Sequence, residues 1–172
     1  MAVKIDFSGN ESRVISLENM GDYAAFRTSI PKPTKEEAHL RHILRFYMAR
    51  SFVKSGYKEV FILPRIRIGN EKVEVDVAAG DEKKAMIAIC EPESVTFSTE
   101  ELLKKLVKLP NIQIIVVHSQ YGDSGNIETL FKKELKEKKV RLMAAVPPPF
   151  DDVYEYDIWM FETTFTEKII GD

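Results

Sequence analysis

The chain of 172 residues has a single cysteine, Cys90. A lone thiol excludes an internal disulfide and a thiolate-rich zinc centre, and it fits a reducing compartment. No stretch reaches the ~18 uninterrupted apolar residues of a membrane span. The first residues lack the basic start and apolar run of a secretory signal. The expected location is therefore the cytoplasm, with no membrane partner. Neither sign of charge dominates: 25 basic residues face 27 acidic ones, a formal net charge of −2. Net charge thus gives no prediction of nucleic-acid binding, although a local basic face is permitted. Repeats and low-complexity linkers are absent. So are a Gly-x-Ser-x-Gly elbow, a Walker loop and a Gly-x-Gly-x-x-Gly turn, which removes the usual signatures of serine hydrolases and of nucleotide binding. Histidines are few. His39 and His42 lack a third ligand in sequence, and His118 reads first as a structural residue at a strand exit and second as a residue facing a ligand there.

What is present is a globular composition, 44% hydrophobic and 30% charged, in a chain long enough to bury roughly 70% of its unfolded surface. One domain is expected over 1–172. It divides into N-terminal strands at 1–33, a core at 34–146, and an aromatic, acidic extension at 147–172 after Pro147-Pro148-Pro149.

Short strands are predicted at 2–7 and 12–18, around the Ser8-Gly9-Asn10 turn. Leu40, Ile43, Leu44, Tyr47, Met48 and Phe52 follow helical spacing and predict a helix over 34–55, stopped at Gly56. Strands follow at 58–68, with Pro64 marking an edge or bulge, and then at 72–79 and 85–91. Ser98 with Glu101 forms a capping box for the next helix. Residues 112–118 form the most apolar strand, expected to be buried on both faces. A helix at 126–138 and a strand at 140–146 complete the core. The fold class is α/β: a mixed β-sheet flanked by helices.

The most informative stretch is 73–93. Asp76 lies inside one apolar strand, while Glu91 and Glu93 close the next. A charge in a strand core is costly unless it is paired or binds a metal. Strand parity puts Val73, Val75 and Val77 on one face and Glu74, Asp76 and Ala78 on the other. The competing reading of those acids is a half-exposed strand with solvated carboxylates.

The order α-β-β-β-α-β over 34–118, with Val75-Asp76-Val77 on the second strand and Glu91-Pro92-Glu93 on the third, resembles the PD-(D/E)XK, or restriction-endonuclease-like, nuclease superfamily. The resemblance implies an αβββαβ core and a metal-dependent nuclease. Asp76 and Glu91 would hold Mg²⁺ or Mn²⁺, and an acid near the start of the first helix, Glu37 ahead of Glu36, would assist. Glu93 stands where that superfamily usually has Lys. Some of its endonucleases use Glu-x-Glu. A second alignment lays Ile89-Cys90-Glu91 over the motif, which removes the first acid as well as the Lys and implies a dead site.

Phosphodiester hydrolysis needs a hard cation to offset developing charge and to acidify water. Glu93 could serve there as general base. The missing positive charge could come from Lys84, Lys104 or Lys105. Glu37 also has a purely structural account, because Thr34-Lys35-Glu36-Glu37 is a capping box. The catalytic candidates are therefore Asp76, Glu91, Glu93 and Glu37, with Asp76 and Glu91 as metal ligands. The alternative is a catalytically inactive nuclease-fold protein acting as a binding or assembly module. Basic residues cluster at Arg41, Arg45 and Arg50, at Arg65 and Arg67, and along Lys132–Arg141, so nucleic acid is a candidate partner, although Glu134 and Glu137 among the last group read more simply as an ordinary solvated helix face. The aromatic residues of the tail need burial, in an edge strand or against a second subunit, and a homodimer is expected.

Overall fold

The structure is a computed structural model. It describes residues 13–16, 55–57, 59–80, 84–119, 122–145 and 165–168, together with the helical residues 41, 44, 45, 48, 49, 51 and 52, called α1 below. The expected strand at 2–7, the helix start with Glu36 and Glu37, and the aromatic tail at 151–161 lie outside the described residues.

Nine strands and three later helices are described. The strands are β1 (Arg13–Ser16), β2 (Glu59–Ile62), β3 (Arg65–Ile68), β4 (Glu71–Glu74), β5 (Val77–Gly80), β6 (Ala85–Glu91), β7 (Ile112–Ser119), β8 (Val140–Ala145) and β9 (Phe165–Lys168). The helices are α2 (Phe97–Leu106), α3 (Ile127–Leu130) and α4 (Lys132–Lys136). Seven strands form one mixed sheet in the order β1-β2-β5-β6-β7-β8-β9, and β3 and β4 pair separately. The β1, β2, β5 and β6 neighbours are antiparallel, β6-β7-β8 are parallel, and β9 returns antiparallel. The crossover from β6 to β7 carries α2, as a parallel pair requires.

Both faces of the sheet are covered, so the central strands read as continuous apolar runs. All seven residues of β6 are buried. On one face Leu44, Met48, Ala49 and Phe52 of α1 pack on Val60, Ile62, Val77, Ala88, Cys90, Ile115 and Val117. On the other, Leu103 and Leu106 of α2 join Ile127, Phe131 and Leu135 over Ala78, Ile87, Ile89, Ile114, Val116 and Leu142. Two-faced burial of β7 follows from this alternation, as expected.

Four elements differ from the sequence expectation. The strand at 58–68 breaks at Leu63-Pro64, where Leu63 has φ 56°. Its partner breaks opposite, at Val75-Asp76. The pairing is not shifted by the break: Leu63 N–H donates to the Asp76 carbonyl at 2.9 Å, and Val75 N–H donates to the Pro64 carbonyl at 3.1 Å. Pro64 fits there because the position requires only an acceptor. Strand parity resets at the same point. Val75 belongs to the α2-side core and Val77 to the α1-side core. The cap of α2 is Thr96 rather than Ser98, its hydroxyl accepting from Thr99 N–H at 3.3 Å. The helix expected over 126–138 is two short helices broken at Phe131, whose φ of −121° departs from helical values. Residues 165–168 add an antiparallel edge strand beside β8.

Candidate functional site

The site lies where β6 and β7 end and where the hairpin carrying β5 bends. Crevices beyond the carboxyl ends of strands are a recurrent ligand position in α/β sheets. Asp76 immediately precedes β5, and Glu91 is the last residue of β6. They are 7% and 5% exposed, so neither is the solvated strand acid of the competing reading. Both line one cleft of about 1050 Å³.

Two arginines of α1 meet these acids. Arg45 Nε donates to Asp76 Oδ1 at 2.7 Å. Arg41 Nη2 lies 3.6 Å from Glu91 Oε2. The arrangement follows from two repeat lengths. Residues four apart on a helix lie about 5–6 Å apart on one face, and neighbouring strands lie about 4.8 Å apart. Two arginines one turn apart can therefore each reach a different strand. They lie beside the Leu44, Met48, Phe52 stripe, which places charge at the ends of central strands and apolar groups over the middle of the sheet.

The remaining contacts come from the backbone and α2. Cys90 N–H donates to Asp76 Oδ2 at 2.7 Å, so both Asp76 oxygens accept hydrogen bonds. The Thr99 hydroxyl donates to Glu91 Oε1. Capping explains why Thr99 is there: its own amide is held by Thr96, which fixes the first turn of α2 beneath Glu91. His118 of β7 is the registered neighbour of Glu91, is 6% exposed, and shares the α2 side of the sheet with it by alternation along both strands.

Two loops frame the cleft. Val95 N–H donates to the Asp123 carbonyl at 3.0 Å, and Asp123 N–H donates to Ser94 Oγ at 3.0 Å. A Cβ on Gly122 would lie 1.8 Å from the Glu93 carbonyl oxygen, so only glycine permits this approach. Glu93 is exposed on the cleft wall. The buried Glu100 accepts from Asn126 N–H at 3.0 Å and ties α2 to the second loop.

Electrostatics set the character of the cleft. Among the described residues lining it, five carboxylates (Glu74, Asp76, Glu91, Glu93, Glu101) face three cations (Arg41, Arg45, Lys105). Burial, followed by the nearby Asp76 charge, pushes the Cys90 thiol well above the usual thiol range.

The expected residues thus have different fates. Asp76 and Glu91 are brought to one cleft, Glu93 stands on its wall, and Glu37 lies outside the described residues. Of the three lysines considered as replacement cations, Lys104 pairs with Glu101 at 2.8 Å and Lys105 with Glu71 at 2.8 Å. Lys84 lines a separate cavity with Asn111 and Gln113. The cations at the two acids are arginines, first considered only for phosphate contacts. Their i, i+4 spacing on the buried stripe was the available signal. Thr99 was missed because Ser98 offered an equally good cap.

Among the described residues no group of three or more His, Cys, Asp and Glu side chains is placed to hold a metal ion. No described helix is long and apolar enough to cross a membrane. Comparison with family models, curated proteins and solved structures gives no match.

Proposed function

We propose that the chain is a divalent-metal-dependent nuclease of the restriction-endonuclease-like type, with Asp76 and Glu91 as the metal-holding pair. The observation that carries this reading is the pair itself: two buried acids on neighbouring strands, open to one cleft whose described lining residues carry more negative than positive charge. A phosphodiester cannot favourably enter such a cleft without a cation. Mg²⁺ commonly takes only one or two protein carboxylates and completes its shell with water and substrate phosphate. Asp76 and Glu91 fit that need without a third acid. The strand order β2-β5-β6-β7, antiparallel twice and then parallel, also agrees with an αβββαβ core.

When bound, the ion would offset charge on the phosphate and acidify water. The protein's own groups supply the rest. Glu93, solvent-accessible on the cleft wall, would take the proton from an attacking water. Arg41 and Arg45 would provide the positive charge that Lys gives at the third motif position, since Glu93 cannot. Thr99 and the Cys90 amide keep the two acids oriented. Nucleic acid is the substrate class.

The test is cleavage of single- and double-stranded DNA and RNA with Mg²⁺ or Mn²⁺, compared with Asp76→Asn and Glu91→Gln. Metal-dependent cleavage lost in both variants is expected. Cleavage unchanged in Asp76→Asn would remove this site from the chemistry.

A second reading, the catalytically inactive binding module, is favoured by one observation: both Asp76 oxygens already accept protein hydrogen bonds. Absence of both cleavage and Mn²⁺ binding at millimolar concentration would select it. The proposed homodimer is tested by size-exclusion with light scattering, where a clean monomer at micromolar concentration would count against it.

A further inference from the structure

The two hydrogen bonds on Asp76 are equal in length and unequal in mobility. The Oδ2 bond comes from the Cys90 amide, part of the buried strand β6. It cannot leave without disrupting the sheet. The Oδ1 bond comes from Arg45, a long side chain that is 18% exposed and borders the open cleft. Only the Oδ1 partner can be exchanged. A buried carboxylate left without a counter-charge is strongly unfavourable, so Arg45 can leave only when another cation replaces it. A second guanidinium is close by, with Arg41 Nη2 at 3.6 Å from Glu91 Oε2 and its side chain one-third exposed.

We propose that Arg45 is an exchangeable counter-cation of Asp76. It holds the carboxylate in the metal-free protein, leaves Oδ1 when a divalent cation is taken up, and then presents its guanidinium to the cleft beside Arg41. One residue thereby performs two tasks in sequence, as stabiliser of the empty site and as positioning residue for an incoming phosphate. A guanidinium suits both, because its fork of donors matches carboxylate and phosphate alike. The proposal rests on the metal-binding part of the reading above.

Mn²⁺ titration calorimetry and thermal unfolding, with and without Mn²⁺, test it on the full chain. Arg45→Gln keeps a polar side chain and removes the competing charge. It is expected to bind Mn²⁺ at least about tenfold more tightly than the unaltered protein. Its lowered melting temperature is expected to recover with Mn²⁺ by more than the unaltered protein gains. Arg45→Lys keeps the charge but offers no fork, and folds even if the Gln variant does not. It is expected to bind Mn²⁺ more tightly than the unaltered protein by a smaller factor. Asp76→Asn is expected to bind none. Equal Mn²⁺ affinity with Arg, Lys and Gln at position 45, or no binding by any of them, would overturn the exchange. A cleavage assay on the same samples separates the two claims. Exchange without cleavage sinks the nuclease reading alone, and cleavage with equal affinities sinks the exchange alone.

Discussion

Asp76 and Glu91 are neighbouring buried acids held in different ways. Asp76 is fixed by a guanidinium at 2.7 Å and a strand amide at 2.7 Å. Glu91 takes a threonine hydroxyl from α2 and has an Arg41 guanidinium nitrogen at 3.6 Å. The first is bound to the sheet and to α1, the second to the start of α2. Equal burial therefore does not imply an equal role. Asp76 is as much a structural tie as a candidate ligand, whereas Glu91 is tied to the first turn of α2 through Thr99.

The largest expected effect comes from removing the tighter tie. Asp76→Ala strands Arg45 and the Cys90 amide, and urea unfolding is expected to show a loss of about 3 kcal/mol. A loss under ~1 kcal/mol would mean that the two acids are held alike. Thr99→Val is isosteric and leaves Glu91 without its hydroxyl, so about 1–2 kcal/mol is expected from the same measurement. A larger cost than that of Asp76→Ala would reverse the ranking.

The cysteine between these acids offers a pH test. Burial and the Asp76 charge both raise the Cys90 thiol, so the folded state retains the proton. Stability from this group is complete below the unfolded thiol value of about 8.5 and is lost as pH rises through the folded value. Unfolding free energy is expected to fall from roughly pH 8.5 upward in the unaltered protein, and less in Cys90→Ala. Native Cys90 is also expected to resist a disulfide reagent that labels it in urea, and rapid native labelling would contradict its burial beside Asp76.

The smallest effect is expected at Glu93. It is exposed, and Glu93→Gln is expected to change stability by less than ~0.5 kcal/mol while removing metal-dependent cleavage. Retained activity would exclude it as the base.

The sheet was legible because its signals are local and repeated. The apolar runs at 85–91 and 112–118 give β6 and β7 nearly residue for residue. The two acids were legible for a different reason, since charge inside an apolar strand demands a partner. Their partners were not, because Arg45 lies 31 residues from Asp76 in the chain. The i, i+4 spacing of Arg41 and Arg45 on the buried stripe hints that they turn inwards, but it names no partner. The strand breaks at Leu63-Pro64 and Val75-Asp76 were half-legible: Pro64 announced one, while the other follows from the partner strand it must match.

The reset of alternation at Asp76 also bears on how faithfully the hairpin assembles. Shifting one strand by a residue normally exchanges its two faces. Valines at 73, 75 and 77 with alanines at 78 and 79 would tolerate such a slip well, since either face would stay apolar. Asp76 does not. In a slipped pairing its carboxylate would face the wrong amide and move away from Arg45, so a buried charge marks the incorrect register as unfavourable. The same side chain that equips the cleft thus acts as a proofreading mark for strand alignment, and replacing it by an apolar residue is expected to increase misregistered, aggregation-prone species during refolding.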